Sequence, residues 1–116
     1  MITKPGYDQN RASRPCWTKD YQTQALRVEL ADGGSYVFPY RRLAFVRFES
    51  GNDHDTLHIL LDTHQIQIVG KHLREVELAL QKFAVDWVRG LAERYDIEPS
   101  DDSVRITSIT VNELQA

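Results

Sequence analysis

The sequence has few of the residues that cross-link, break or anchor a chain. Its 116 residues include one cysteine, four prolines and six glycines. A single cysteine cannot form an internal disulfide, so the sequence predicts a fold held by packing in a reducing, cytoplasmic setting. No run approaches the ~18 consecutive apolar residues of a membrane-spanning helix, and the opening MITKPGYDQN lacks the apolar core of a secretion signal. We therefore expect no membrane partner.

The chain also lacks a large excess of charge of one sign. Fourteen basic and seventeen acidic side chains give a net charge of −3 and a pI of about 5.7. The molecule as a whole therefore has no general attraction to nucleic acid, and we do not expect nucleic acid as a partner on these grounds. Hydrophobic residues make up 41% of the chain and charged residues 27%, as is typical of one globular domain. Residues 1–22 show no regular period and hold three of the Pro and Gly residues, so we predict an irregular N-terminal arm followed by one α+β domain over residues 23–116.

Five segments have the period of β-strands. Leu26–Leu30 and Tyr36–Tyr40 alternate around a turn at Asp32-Gly33-Gly34, which predicts a β-hairpin. Residues 43–49 predict a third strand. Residues 57–61 and 66–70 predict a second hairpin, with Leu61 opposite Ile66 and Ile59 opposite Ile68.

The remaining segments predict a helix and a last strand. From residue 71 to about residue 95, apolar residues recur at spacings of three and four, which predicts one long amphipathic helix. Residues 104–113 are rich in β-branched side chains, which predicts a strand. Ile106 and Ile109 have opposite phases in it, which either a bulge near Thr107-Ser108 or burial of both faces would explain. The predicted fold is α+β: one antiparallel sheet of five to six strands packed on the long helix, with a C-terminal strand after the helix.

This arrangement leaves apolar residues that one core does not use. They lie on the second face of the sheet and on the flank of the helix, and they are Leu43, Phe45, Leu60, Val69, Leu78, Val85, Val88 and Ala92. Such a surplus favours a non-enzymatic module that binds protein, most readily itself as a homodimer or higher oligomer. The last strand is a further candidate, because it can pair with an exposed sheet edge. Leu43, Phe45, Leu60, Leu78, Val85 and Val88 are the predicted interaction residues.

The alternative function is binding of single-stranded nucleic acid. Five positions of RRLAFVRF (41–48) match the RNP1 segment of RNA-recognition motifs, but Arg42 and Leu43 replace its glycine and first aromatic residue. Phe45 would stack on a base while Arg41, Arg42 and Arg47 contact phosphates. The tight turn between the first two strands departs from the topology of that family, so the match is weak.

No arrangement of residues in the sequence predicts catalysis. The four histidines and Cys16 lack the spacing of a zinc site. Neither a Gly-x-Ser-x-Gly nucleophile motif nor a phosphate-binding glycine loop occurs. We therefore predict that the protein is not an enzyme and has no catalytic, cofactor-binding or metal-binding residues and no cofactor. A small-ligand pocket near Tyr36, Tyr40 and Trp87 stays open as a third possibility.

Overall fold

The computed structural model describes residues 15–90 and 103–115. These residues form two β-sheets and one short α-helix. In chain order the elements are β1 (Trp17–Lys19), β2 (Ala25–Glu29), β3 (Ser35–Pro39), a 3₁₀ turn (Tyr40–Arg42), β4 (Leu43–Ser50), β5 (Asp55–Leu61), β6 (His64–Lys71), α1 (Arg74–Gln81), β7 (Val85–Arg89) and β8 (Arg105–Glu113).

The eight strands divide equally between two sheets. Sheet A has the order β1-β7-β2-β3 and sheet B the order β4-β5-β6-β8. Every neighbouring pair is antiparallel except β2 and β7, which are parallel. One hydrophobic core joins both sheets and α1, with Val28 from sheet A, Ile59 from sheet B and Leu80 from the helix. The α+β class is confirmed, but the predicted single sheet of five to six strands is two sheets of four.

The first predicted hairpin is confirmed. Leu26 lies opposite Phe38, and Val28 lies opposite Tyr36. Gly33 takes a φ of +96°, a conformation that side chains with a Cβ disfavour. The Leu30 N–H donates to the Gly34 carbonyl at 2.8 Å, and the Asp32 carboxylate accepts from the Gly34 N–H at 2.8 Å, so the turn satisfies its own polar groups.

The predicted long helix is wrong beyond Gln81. Phe83 takes a φ of +55° and ends the helical segment, after which β7 enters sheet A between β1 and β2. Thr18 and Lys19 pair with Trp87 and Val85, so Asp86 is an extra, bulged residue. The bulge turns Val85 and Val88 to the same side, and their spacing of three imitates a helical stripe. The predicted helix end at residues 91–95, and Ala92, lie outside the described residues.

Two register predictions have different outcomes. In the second hairpin, Ile59 lies opposite Ile66 and Leu57 opposite Ile68, so the predicted pairing is wrong by two positions. The same side chains still face the core, because a shift of two preserves the face. In β8, Ser108 pairs with Val69 and Ile106 with Gly70. Thr107 is therefore the bulged residue, and the bulge is the correct one of the two explanations that the sequence left open.

Part of the predicted irregular arm has regular structure. Residues 1–14 lie outside the described residues, whereas β1 forms from Trp17 to Lys19. Trp17 pairs with Val88, and the Arg89 N–H donates to the Cys16 carbonyl at 2.8 Å. These contacts make β1 the edge of sheet A. Among the described helices, none is long and apolar enough to cross a membrane.

Candidate functional site

Sheet B presents an open face on the side away from the core. We call it the outer face, and its side chains are exposed or half-buried. Cross-strand pairing arranges them in three rows, which are Phe45–Leu60–Gln65–Asn112, Arg47–His58–Gln67–Thr110 and Glu49–Thr56–Val69–Ser108. Amide and hydroxyl groups dominate the half formed by β6 and β8, and the larger apolar and charged side chains lie on β4 and β5.

The structure brings together two of the predicted interaction residues. Phe45 and Leu60 are cross-strand neighbours on the outer face, and Phe45 is 54% exposed. Leu43 does not join them. The register places Leu43 opposite Leu61 and leaves Ala44 as a bulged residue, so Leu43 packs against the core instead. The prediction that Leu43 and Phe45 share a face is wrong, because the bulge changes the alternation.

The other predicted interaction residues lie apart from this pair. Val85 and Val88 are 0% and 1% exposed, because β7 runs inside sheet A and its bulge turns both to the core. Leu78 is 52% exposed and lies on α1. The predicted seam of Leu78, Val85 and Val88 is therefore not one continuous surface.

Two of the three arginines proposed as nucleic-acid contacts form ion pairs with acidic side chains. Arg42 Nη1 lies 2.6 Å from Asp62 Oδ2, and Arg47 Nη2 lies 2.8 Å from Glu49 Oε2. Arg41 and Arg42 border an open depression of about 390 Å³ that Leu43, Ala44 and Asp62 complete. The carboxylates offset much of the positive charge that phosphate recognition needs.

Glu49 contacts both of the neighbouring basic side chains on the outer face, Arg47 and His58. His58 Nε2 lies 3.1 Å from Glu49 Oε1. This hydrogen bond from His58, together with the charge of Arg47, lowers the pKa of Glu49 from its ordinary value. The charged groups in this part of the face are thus partnered with each other.

The free edge of β8 is the second candidate surface. We use this name for the edge that does not pair with β6. Within residues 15–90 and 103–115, no strand lies beyond β8 in sheet B. Ile109 and Val111 face Ile68 and Ile66 across the strand pair and pack against the core, yet both are only half-buried. In the described part of the chain, no strand covers the other side of these two residues.

The three other sheet edges carry features that discourage strand pairing. β1 has only three residues, and β3 ends in a proline that has no N–H to donate. β4 has a bulge at Ala44 and charged side chains at Arg47 and Glu49. β8 has nine residues and no proline, its bulge lies near its start, and its two charged residues, Arg105 and Glu113, stand at its ends. It is therefore the least protected edge.

The remaining candidates from the sequence do not form a site. Cys16 is buried, and burial raises the pKa of its thiol, which makes it a poor nucleophile. In the part of the chain that the structure describes, no group of three His, Cys, Asp or Glu residues is placed to hold a metal ion. Tyr40 is a buried core residue, Tyr36 stacks on Phe38, and Trp87 stacks under Arg89.

Comparisons with known proteins add no assignment. No family model matches the chain, and the searches of curated proteins and of solved structures found no significant match. The functional argument therefore depends on the chain's own surfaces.

Proposed function

We propose that the protein is a non-enzymatic protein-interaction module that pairs an extended polypeptide segment with the free edge of β8. The half-burial of Ile109 and Val111 carries this proposal. Their side chains pack against the core, and among the described residues a strand pairs with β8 on one edge only. An added strand would supply the missing neighbours and bond to the edge N–H and C=O groups.

The edge defines the chemistry of the segment that fits it. Beyond the bulge at Thr107, residues 108–113 continue as a regular strand. A matching segment carries apolar residues at alternate positions, next to Ile109 and Val111. It carries polar residues between them, next to Ser108, Thr110 and Asn112 on the outer face.

A peptide array tests this mode of binding. The probes are heptapeptides with Val, Ile or Leu at alternate positions and Ser, Thr or Asn between them. Because strand addition uses every second amide of the added strand, N-methylation at alternate positions should abolish binding, whereas N-methylation at the intervening positions should not. Equal tolerance of N-methylation at every position would refute strand addition.

Two matched variants locate the binding edge. Val46 and Val111 lie in one cross-strand row, Val46–Ile59–Ile66–Val111, at opposite edges of sheet B. Both are half-buried and face the core. We expect Val111→Lys to weaken peptide binding at least about tenfold, because it puts a charge where the added strand packs, and Val46→Lys to leave it unchanged. Equal loss in both variants, with equal stability to urea, would contradict the proposal.

Binding of single-stranded nucleic acid on the outer face is the second candidate. The exposed ring of Phe45, two residues from Arg47 on an open sheet face, is the observation that favours it. Fluorescence anisotropy with a mixed-sequence oligonucleotide should then show binding that weakens as salt rises. Binding should fall in Phe45→Ala and in the triple variant Arg41→Ala, Arg42→Ala, Arg47→Ala. Absence of binding at low salt would exclude this function.

Location in the cytoplasm stays a prediction from the sequence. It depends on the single cysteine, which buries its thiol and donates a hydrogen bond to the Val104 carbonyl at 3.5 Å. A buried free thiol forms no disulfide, so the fold does not depend on an oxidising compartment. Fractionation of cells that express the tagged chain tests this location.

A further inference from the structure

The sequence of β8 is complementary to itself when two copies run in opposite directions. We propose that the segment paired with the free edge is β8 of a second copy of this chain, related by a two-fold axis that passes beside Thr110. The inference depends on the proposed function, since it names the partner of the same edge. The product is a dimer in which the two copies of sheet B form one eight-stranded antiparallel sheet.

The register follows from the faces of β8. With the axis at Thr110, each Ile109 lies opposite Val111 of the partner subunit. Both side chains point to the core side, so each covers the half-buried surface of the other. On the outer face, Ser108 lies opposite Asn112 of the partner subunit, and the two Thr110 side chains face each other. Paired threonines and hydrogen-bonding side chains are favourable cross-strand neighbours.

The adjacent registers fit less well. An axis at Ile109 would place Val111 opposite Thr107 of the partner subunit, and Thr107 is the bulged residue. An axis at Val111 would place Ile109 opposite Glu113 of the partner subunit, which sets a carboxylate against an apolar side chain. The Thr110 register alone among the three pairs apolar with apolar and polar with polar, and it leaves the bulge outside the paired segment.

Charge favours the same arrangement. Residues 108–112 carry no charged side chain, so the paired segment contains no repulsion. The strand begins at Arg105, whose cross-strand neighbour is Lys71, and it ends at Glu113. Arg105 lies on the outer face and Glu113 on the core side of β8, so these two charges do not meet across the contact. The two Glu113 side chains lie at opposite ends of the contact.

The size of the contact determines its strength. Five residue pairs span about 17 Å of strand. We expect so short a contact to bury less surface than the standard interface of about 1,600 Å². We therefore expect a reversible dimer that forms in the micromolar to millimolar range and dissociates on dilution.

Cysteine cross-linking tests the partner and the register together. Thr110, Ser108 and Asn112 are all exposed on the outer face of β8. In the proposed dimer the two copies of Thr110→Cys lie directly opposite each other, within the 4.4–6.8 Å Cα separation of a disulfide. Two copies of Ser108→Cys, or two of Asn112→Cys, are offset by about 13 Å along the strands. Buried Cys16 is common to all variants.

The expected result is specific to each variant. On oxidation with diamide, Thr110→Cys should form a covalent dimer at least about tenfold faster than Ser108→Cys or Asn112→Cys alone, whereas a mixture of those two should cross-link efficiently. Sedimentation equilibrium should also show a dimer of the unmodified chain and of Val46→Lys that is lost in Val111→Lys. Equal rates for all three cysteine variants, or a monomer at millimolar concentration, would overturn the inference. If array peptides still bind in that case, the partner is a different protein and the proposed function stands; if they also fail to bind, both are wrong.

Discussion

Replacement of Gly70 by alanine should weaken the fold strongly, because no space exists for a methyl group at this position. Gly70 pairs with Ile106 at the bulge between β6 and β8. A Cβ at residue 70 would overlap the Arg105 carbonyl oxygen, and it would lie 2.9 Å from the Arg105 carbonyl carbon and 3.0 Å from the Ile106 Cα. All three atoms belong to the backbone, so no side-chain rotation relieves the overlap.

The magnitude follows from what must move. Forcing an extra methyl into a packed site costs about 1–3 kcal/mol. If β8 instead moves away, Ile106, which is fully buried, loses burial worth about 1.5–3 kcal/mol. These are alternative responses to the same overlap, so we expect Gly70→Ala to lower the free energy of unfolding by about 1.5–3 kcal/mol, a substantial fraction of the ~5–15 kcal/mol typical of a domain.

Urea unfolding followed by tryptophan fluorescence measures this change, since Trp17 and Trp87 are both half-buried. Gly34→Ala is the matched control. Its added Cβ meets only the Asp32 Oδ1 side-chain atom at 3.2 Å, so we expect a loss below about 1 kcal/mol. A Gly70→Ala protein within about 0.5 kcal/mol of the unmodified chain would show that β8 does not approach β6 as described, and the proposed edge would fail with it.

Two further predictions concern titratable groups. Burial raises the pKa of Tyr40, and the Tyr40 hydroxyl donates a hydrogen bond to the Val85 carbonyl at 2.6 Å. The neutral form of Tyr40 therefore stabilises the fold. This stabilisation is complete below the unfolded pKa of about 10 and is lost as pH rises through the higher folded pKa. Tyr40→Phe should cost about 1–2 kcal/mol at neutral pH and reduce the alkaline loss of stability, and an unchanged alkaline unfolding curve would contradict this. His58→Ala, which has no side-chain donor, should raise the pKa of Glu49 towards its ordinary value in a carboxyl NMR titration, because the hydrogen bond from His58 is the main cause of the lowered pKa. No change would show that Arg47 alone holds the carboxylate.

Most strands can be predicted from the sequence, because the alternation of apolar and polar residues is a local pattern. The Asp32-Gly33-Gly34 turn and the inward set Leu57, Ile59, Ile66 and Ile68 are both as predicted. The division into two sheets is not readable in the same way. It depends on β7 entering between β1 and β2, and such long-range pairing leaves no period in the chain.

Bulges explain the main errors about the candidate site. Val85 and Val88 are three residues apart, and so are Ile106 and Ile109, and in both segments a bulge turns the two side chains to one face. Val85 and Val88 follow a true helical stripe in α1, so their spacing predicts that the helix continues. The second pair stands in a β-branched segment without such a stripe, so the sequence predicts a strand there and a bulge is one of its two explanations for the change of phase. Ala44 gives no such signal, and Leu43 is therefore assigned to the wrong face.

The bulge in β8 also connects the stability of the fold to the proposed binding edge. Because Gly70 lets the Arg105 backbone approach closely, Ile106 fits fully into the core while Thr107 takes up the extra residue. The strand is irregular before Ser108 and regular after it, so a partner strand finds a continuous ladder only over residues 108–113. One glycine thus fixes both the position of β8 and the segment that remains open for pairing.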